Sequence, residues 1–207
     1  DPQPVNDRAR YQLNAYPSTI VGQEEHAASL AVARQLPPGF NARTQALASE
    51  LAAGTTSDGQ ILQRAIDHLR GAELIYTLNP PLLGTDSVDE FLFDTKRGFC
   101  EHFASAFTVL MRAAGVPARV VTGYQGGEIN PIDGNLVVRQ LDAHAWSEVW
   151  LVGRGWVRVD PTYVSAPRRI EEGLAAALPA DEALPFTLGA RNDWARGMRL
   201  RWEALSN

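Results

Sequence analysis

The chain is poor in sulfur, with one cysteine and two methionines among 207 residues. A single cysteine closes no disulfide within the chain, so an oxidising compartment is neither indicated nor excluded. Long apolar runs are missing as well. No stretch approaches the ~20 residues that a membrane-spanning helix needs, and no signal peptide stands at the start. The chain opens at Asp1 without a methionine, which reads as a piece of a longer protein, so any membrane contact is expected through segments outside these residues. Basic residues form no run: 19 Lys and Arg stand against 24 Asp and Glu, a net charge of −5. Broad nucleic-acid binding needs a positive field facing the phosphates, and this balance argues against it.

Metal and phosphate chemistry lack their marks too. Four histidines and one cysteine are too few for a thiolate cluster, and no two histidines sit at ligand spacing. Gly123-Tyr124-Gln125-Gly126-Gly127 follows a strand-like run but opens no helix, so it is no phosphate cradle. Neither a metal nor a cofactor is expected.

What is present suits a folded domain: 45% hydrophobic and 21% charged residues supply both a core and a soluble surface. A first helical pattern runs from Thr44 to Ala53, with Leu47 and Leu51 on one side and Gly54 as a stop. Ser57-Asp58-Gly59-Gln60 reads as a capping box before the apolar face of Ile61, Leu62, Ala65, Ile66 and Leu69. A second box, Ser87-Val88-Asp89-Glu90, opens a short helix through Phe91 and Leu92. From Cys100 the residues Phe103, Phe107, Leu110, Met111 and Ala114 define another helical face, stopped by Gly115 and Pro117. Strand patterns follow at 118–124, 136–139, 144–151 and 156–160, the last two joined by a turn around Gly153-Arg154-Gly155. One helix before an antiparallel meander predicts an α+β fold. The organisation expected is a single domain over 1–207: lead-in and helices over 1–85, a core over 86–165 and an extension over 166–207. Within the extension, helices are expected over 168–178 and 192–205.

Cys100 opens its helix, where unpaired N–H groups and the helix dipole favour a thiolate and an oxyanion. Gly98 just before it reads as a place where backbone approaches a substrate. A thiol nucleophile needs a base. His26 and His68 read as surface or packing residues, and His102, two residues along the same helix, points to another side. His144 opens a strand that a helix beginning at Cys100 could face, the way thiol enzymes bring Cys and His together. Asp160, at the end of the next strand, shares the face of Trp156 and Arg158. Simple hairpin geometry leaves it a diagonal neighbour or farther from His144, with a bulge or bend needed to close the gap. Asp142 and Glu148 compete with it as the orienting carboxylate.

Three segments carry a resemblance. Gly98-Phe99-Cys100-Glu101-His102-Phe103-Ala104 leads to Arg112-Ala113-Ala114-Gly115-Val116-Pro117-Ala118-Arg119-Val120-Val121-Thr122-Gly123-Tyr124. His144-Ala145-Trp146-Ser147-Glu148-Val149-Trp150 and Gly155-Trp156-Val157-Arg158-Val159-Asp160-Pro161-Thr162 follow in the same order. Together they resemble the transglutaminase-like superfamily, in particular the TgpA-type group of bacterial membrane-anchored proteins. The resemblance implies a papain-like transglutaminase-core fold and carries nucleophile, base and orienting roles onto Cys100, His144 and Asp160. It places Trp146 beside the histidine as a supporting residue and makes Arg119 structural. It also implies a thioester acyl-enzyme and a periplasmic location as a domain of an inner-membrane protein. The partners it implies are a protein or peptide amide donor and an amine acceptor. The first expectation is acyl transfer from a glutamine side chain to an amine. The alternatives are a cysteine protease or amidase acting on peptide or cell-wall amides, and a non-catalytic scaffold of the same fold.

Overall fold

The helix that begins at Cys100 is the axis of the architecture. The computed structural model describes residues 20–171, together with residues 12, 178, 179 and 201. Before that central helix come α1 (Ala27–Val32), α2 (Ala42–Ala52), α3 (Asp58–Gly71), β1 (Ile75–Tyr76), α4 (Ser87–Asp89, running on as a π-helical turn over Glu90–Thr95) and β2 (Arg97–Gly98). The central helix is α5 (Cys100–Ala113). It is followed by β3 (Ala118–Tyr124), β4 (Glu128–Ile129), β5 (Leu136–Val137), a 3₁₀ turn over Gln140–Asp142, β6 (Ala143–Leu151), β7 (Gly155–Val159), α6 (Pro161–Ser165) and α7 (Arg168–Glu171). The α+β expectation holds.

The main sheet is antiparallel in the order β3-β6-β7. Ala118 pairs with Val149 and Gly123 with His144, while Ser147 pairs with Val159 and Leu151 with Gly155. Its inner face lies on α5. There Ser147 donates its hydroxyl to the Ala104 carbonyl at 3.0 Å and meets the Thr108 hydroxyl at 3.1 Å. The other side of α5 packs against α2, α3 and α6. Phe103, Phe107, Leu110 and Met111 are fully buried, and so are Ala104 and Ala106. The helix is therefore enclosed on nearly every side. Apolar periodicity marks only its bulky face, because small Ala104 and Thr108 let the sheet come close.

Several expected boundaries move. The helix expected at Thr44–Ala53 is Ala42–Ala52, and the strand expected at 136–139 shrinks to Leu136–Val137, paired with an unexpected β4. Ser57 caps α3 as predicted, accepting from Gln60 N at 3.4 Å, while the Gln60 side chain reaches Thr56 N instead of Ser57. The second capping box does not form, because Ser87 is already the first helical residue and Glu90 accepts from Gly84 N. A more distant residue takes over: Asn41 Oδ1 accepts from Val88 N and Asp89 N. Asp89 returns the favour to α2, accepting from Arg43 N at 2.9 Å and Thr44 N at 2.8 Å. Two helix starts cap each other. The helix expected at 168–178 is described only as Arg168–Glu171, and the one expected at 192–205 lies outside the described residues.

Candidate active site

Local chain geometry brings the site together before any side chain acts. The π-helical turn closes with Lys96 N on the Phe91 carbonyl at 3.0 Å and Lys96 at φ 53°. It delivers β2 alongside β1 in parallel, with Tyr76 opposite Gly98. Cys100 follows at once as the first residue of α5, 8% exposed. Gly98 has a packing role and no exposed face: a Cβ there would lie 2.7 Å from the His102 side chain and 2.8 Å from Phe91. The expected close approach is thus to the protein's own aromatic ring. His102 sits over Phe99 at 4.5 Å between ring centres, and its Nδ1 accepts from Phe99 N at 3.4 Å. It finishes the helix start and does not face the thiol.

At the start of β6, His144 is buried and its Nε2 meets Asp160 Oδ2 at 2.7 Å. Nδ1, without another partner among the described residues, is the nitrogen left for the thiol. The expected gap between His144 and Asp160 is closed by neither bulge nor bend within the strand. β7 stops at Val159, and Asp160 becomes the N-cap of α6, with its Oδ1 accepting from Tyr163 N at 3.3 Å. Capping swings the carboxylate off the hairpin register and onto the imidazole. The competing carboxylates are engaged elsewhere. Glu148 pairs with Arg119 at 2.6 Å, and Asp142 accepts from Arg139 N. Arg119 also stacks on Trp156 at 4.0 Å, a structural placement.

Trp146 lies near-parallel to His144, 6.2 Å between ring centres, and Arg158 covers its other face at 4.1 Å. Arg158 also reaches Asp160 Oδ2 at 3.4 Å. Gly123 makes room for this layer, since a Cβ there would come within 2.8 Å of the indole.

Electrostatics bind the three groups into one unit. Burial pushes the Cys100 thiol up, but hydrogen bonds from His144 and the Ala145 N–H, with the nearby charges of His144 and Arg169, bring it below its ordinary value. Burial pulls His144 down, yet Asp160 and Cys100 together raise it above its usual value. Asp160 is pushed up by burial and held lower overall by His144. All three shifts favour a thiolate beside an imidazolium.

Two groups at the site were not expected. Tyr76 and Arg169 line the same cavity, about 270 Å³, as Cys100 and His144. Ile75-Tyr76-Thr77, a β-branched and aromatic triplet, was a usable strand signal; nothing near Arg169 announces it. Both lie outside the stretch 86–165.

Comparison with known proteins fits this geometry. A sequence profile of the Transglutaminase-like superfamily matches residues 45–161. A protein-glutamine gamma-glutamyltransferase of Pseudomonas aeruginosa is 42% identical over 99% of this chain, which spans 31% of that protein. The crystal structure of the periplasmic domain of TgpA from Pseudomonas aeruginosa superposes with a TM-score of 0.72 at 47% identity, over 75% of this chain and 54% of that one. A chicken protein-glutamine gamma-glutamyltransferase 2 is 32% identical over 41% of this chain and 15% of its own length. The chain therefore spans about a third or less of these full-length relatives. With the profile covering more than half of its residues and the fold matched over three quarters, the chain belongs to the transglutaminase-like superfamily.

Proposed function

We propose that this chain is a transglutaminase-like thiol acyltransferase. The observation that carries the reading is a thiol at the first residue of α5 whose environment favours the thiolate, beside a histidine bonded to Asp160 at 2.7 Å. In this reading the Cys100 thiolate attacks the carbonyl carbon of a glutamine side-chain amide. The C–S bond forms, the C–N bond breaks, and the His144 imidazolium gives its Nδ1 proton to the departing ammonia. An amine then attacks the thioester, His144 takes the amine's proton, and the thiol leaves as thiolate. Asp160 keeps the imidazole oriented and supports its charge throughout. Water in place of the amine would make the same residues hydrolytic. The acceptor amine is supported by the activity named for the Pseudomonas relative.

The partners are a glutamine-bearing protein or peptide and a primary amine. The match to the TgpA domain supports a periplasmic location. Among the described residues no helix is long and apolar enough to cross a membrane.

Incubation with a glutamine-containing donor and a fluorescent amine, with ammonia measured in parallel, tests the reading. Equal ammonia release and amine incorporation, both lost in Cys100→Ala, is the result expected. Ammonia release without incorporation would assign the chain to hydrolysis. A Cys100→Ala variant that still turns over sinks the nucleophile.

A further inference from the structure

A buried charge has to be answered by another, and one at this site finds no permanent answer among the described residues. Arg169, in α7, is 3% exposed and lines the cavity of about 270 Å³ that also holds Cys100 and His144. Its Nε donates to the Tyr76 hydroxyl oxygen at 3.2 Å, and its Nη2 to the Ala143 carbonyl at 3.4 Å. Both acceptors are neutral, and Nη1 takes part in neither bond. Among the described residues no carboxylate pairs with this guanidinium. Glu101 lines the same cavity but is exposed, and Asp160 is held by His144 and Arg158. A cation taken out of water without a counter-charge is costly.

The negative charge that does act beside Arg169 is the Cys100 thiolate, which the guanidinium helps to favour. In the acyl-transfer reading that compensation is temporary. Once the C–S bond has formed and ammonia has left with the His144 proton, the thiolate is gone, while arginine keeps its charge. The acyl-enzyme then holds a buried cation whose counter-charge has to arrive with the donor. An acceptor amine does not supply it, because its ammonium form is repelled by the same guanidinium. The cavity is just under the ~300–1,000 Å³ of pockets for drug-sized ligands, so it suits a single residue. In glutamine, three carbons separate the reacting carboxamide carbon from the α-carboxyl carbon, so one residue-sized cavity takes both groups.

We propose that Arg169 forms a carboxylate subsite beside Cys100, so that the preferred acyl donor is a glutamine whose own α-carboxylate is free, as at the C-terminus of a peptide. This rests on the acyl-transfer reading above and names its donor. The planar fork of the guanidinium matches a carboxylate, and a charge-assisted bond in a buried site discriminates strongly against a neutral group.

The test compares three donors by their second-order rates of acylation of the 207-residue chain, read as ammonia released per thiol. They are N-acetyl-Ala-Gln with its carboxylate free, the same peptide as its N-methylamide, and N-acetyl-Ala-Gln-Gly, whose carboxylate lies one residue farther on. The first should react about 10–10²-fold faster than the other two, the worth of one charge-assisted pair. Arg169→Gln should bring the three rates within about threefold of one another, and Arg169→Lys should restore part of the preference. Loss of support for the thiolate slows every donor alike, so the ratio between donors isolates the subsite. Alkylation by iodoacetamide reports that each variant keeps a folded site. Equal rates for the three donors in the wild-type chain overturn the subsite, whether or not the variants fold. A glycine-extended donor as fast as the free glutamine overturns it too, because the charge then acts from a distance. A preference that survives in an alkylating Arg169→Gln variant removes Arg169 from the role. A wild-type chain that alkylates but is acylated by none of the donors overturns the acyl-transfer reading, and the subsite with it.

Discussion

Asp160 serves two elements at once: one oxygen caps α6 and the other holds His144. Asp160→Asn keeps one acceptor oxygen, which serves His144 or the Tyr163 N–H but not both, and removes the charge that supports the imidazolium. Activity should fall by roughly 10–10²-fold, less than the ~10⁴ lost in triads whose histidine turns to the wrong tautomer, because in the proposed reading the ion pair forms before substrate arrives. In the proposed reading His144→Ala loses base and acid together, and single-turnover acylation should drop by about 10³-fold or more. His102→Ala is the control; if it were the inactive variant and His144→Ala nearly normal, the strand-borne base would be wrong. The pH behaviour has a definite sign. Thiolate appears as pH rises through the lowered Cys100 value, so iodoacetamide should react at pH 6 faster than with an unperturbed thiol. Alkylation no faster than a free thiol would contradict the pairing. Stability follows the same groups. The depressed Asp160 contributes above its ordinary 3.8 and loses that contribution as pH falls, while the raised His144 contributes below 6.5 and loses it as pH rises through its folded value. Urea unfolding should therefore show the largest penalty for Asp160→Asn near pH 5 and a smaller one at pH 9.

At the scale of elements, the mutual capping of α2 and α4 sets where the π-helical turn begins, and hence where β2 delivers Cys100. Asn41 occupies the left-handed region at φ 55°, which asparagine tolerates well, and its N–H bonds Asp86 while its side chain serves Val88 and Asp89. Asp89→Ala strands the first amides of α2 in a buried position. It should cost about 2 kcal/mol in urea unfolding, at the upper end for a lost cap. An unchanged midpoint would mean that water replaces the carboxylate at no cost. These links also show what could be read from the chain alone. The Cys100 helix, β3, β6 and β7 were legible because bulky apolar spacing, Gly115 and the Gly153–Gly155 turn are local signals. The pairing of Cys100 with His144 followed from helix-start chemistry and strand order. The reach of Asp160 did not, because it depends on a cap formed after the strand ends. Capping by Asn41 was hidden for the same reason: its partners lie across the fold, and the local Ser87–Glu90 pattern pointed elsewhere.

For the whole molecule, the segment ahead of the profile match is part of the fold. Val21 and Gly22 carbonyls accept from Trp156 N and Trp150 Nε1, both at 2.8 Å, and Glu25 accepts from Trp156 Nε1 at 2.9 Å. Farther along, the Ala33 carbonyl accepts from Ala118 N at 3.0 Å, and Gln35 accepts from Arg112. Residues 21–35 thus close over β7 and the start of β3. A chain beginning at residue 37 uncovers the two tryptophans and leaves those donors to water. It should unfold at lower urea concentration, by on the order of 3 kcal/mol. A midpoint equal to that of the full chain would show the segment to be an accessory.

Cys100 is the one cysteine in the chain, and its surroundings favour the form that peroxides attack. Many sensitive thiols are rescued by a neighbouring thiol that condenses with the first oxidation product, sulfenic acid, and hands it on as a disulfide. No such neighbour exists within this chain. A sulfenic acid at Cys100 must wait for a thiol from outside this chain, which has to enter the cavity that Tyr76 and Arg169 also line. The features that would ready the residue for acyl transfer also make its recovery from oxidation depend on the size and charge of a visiting reductant.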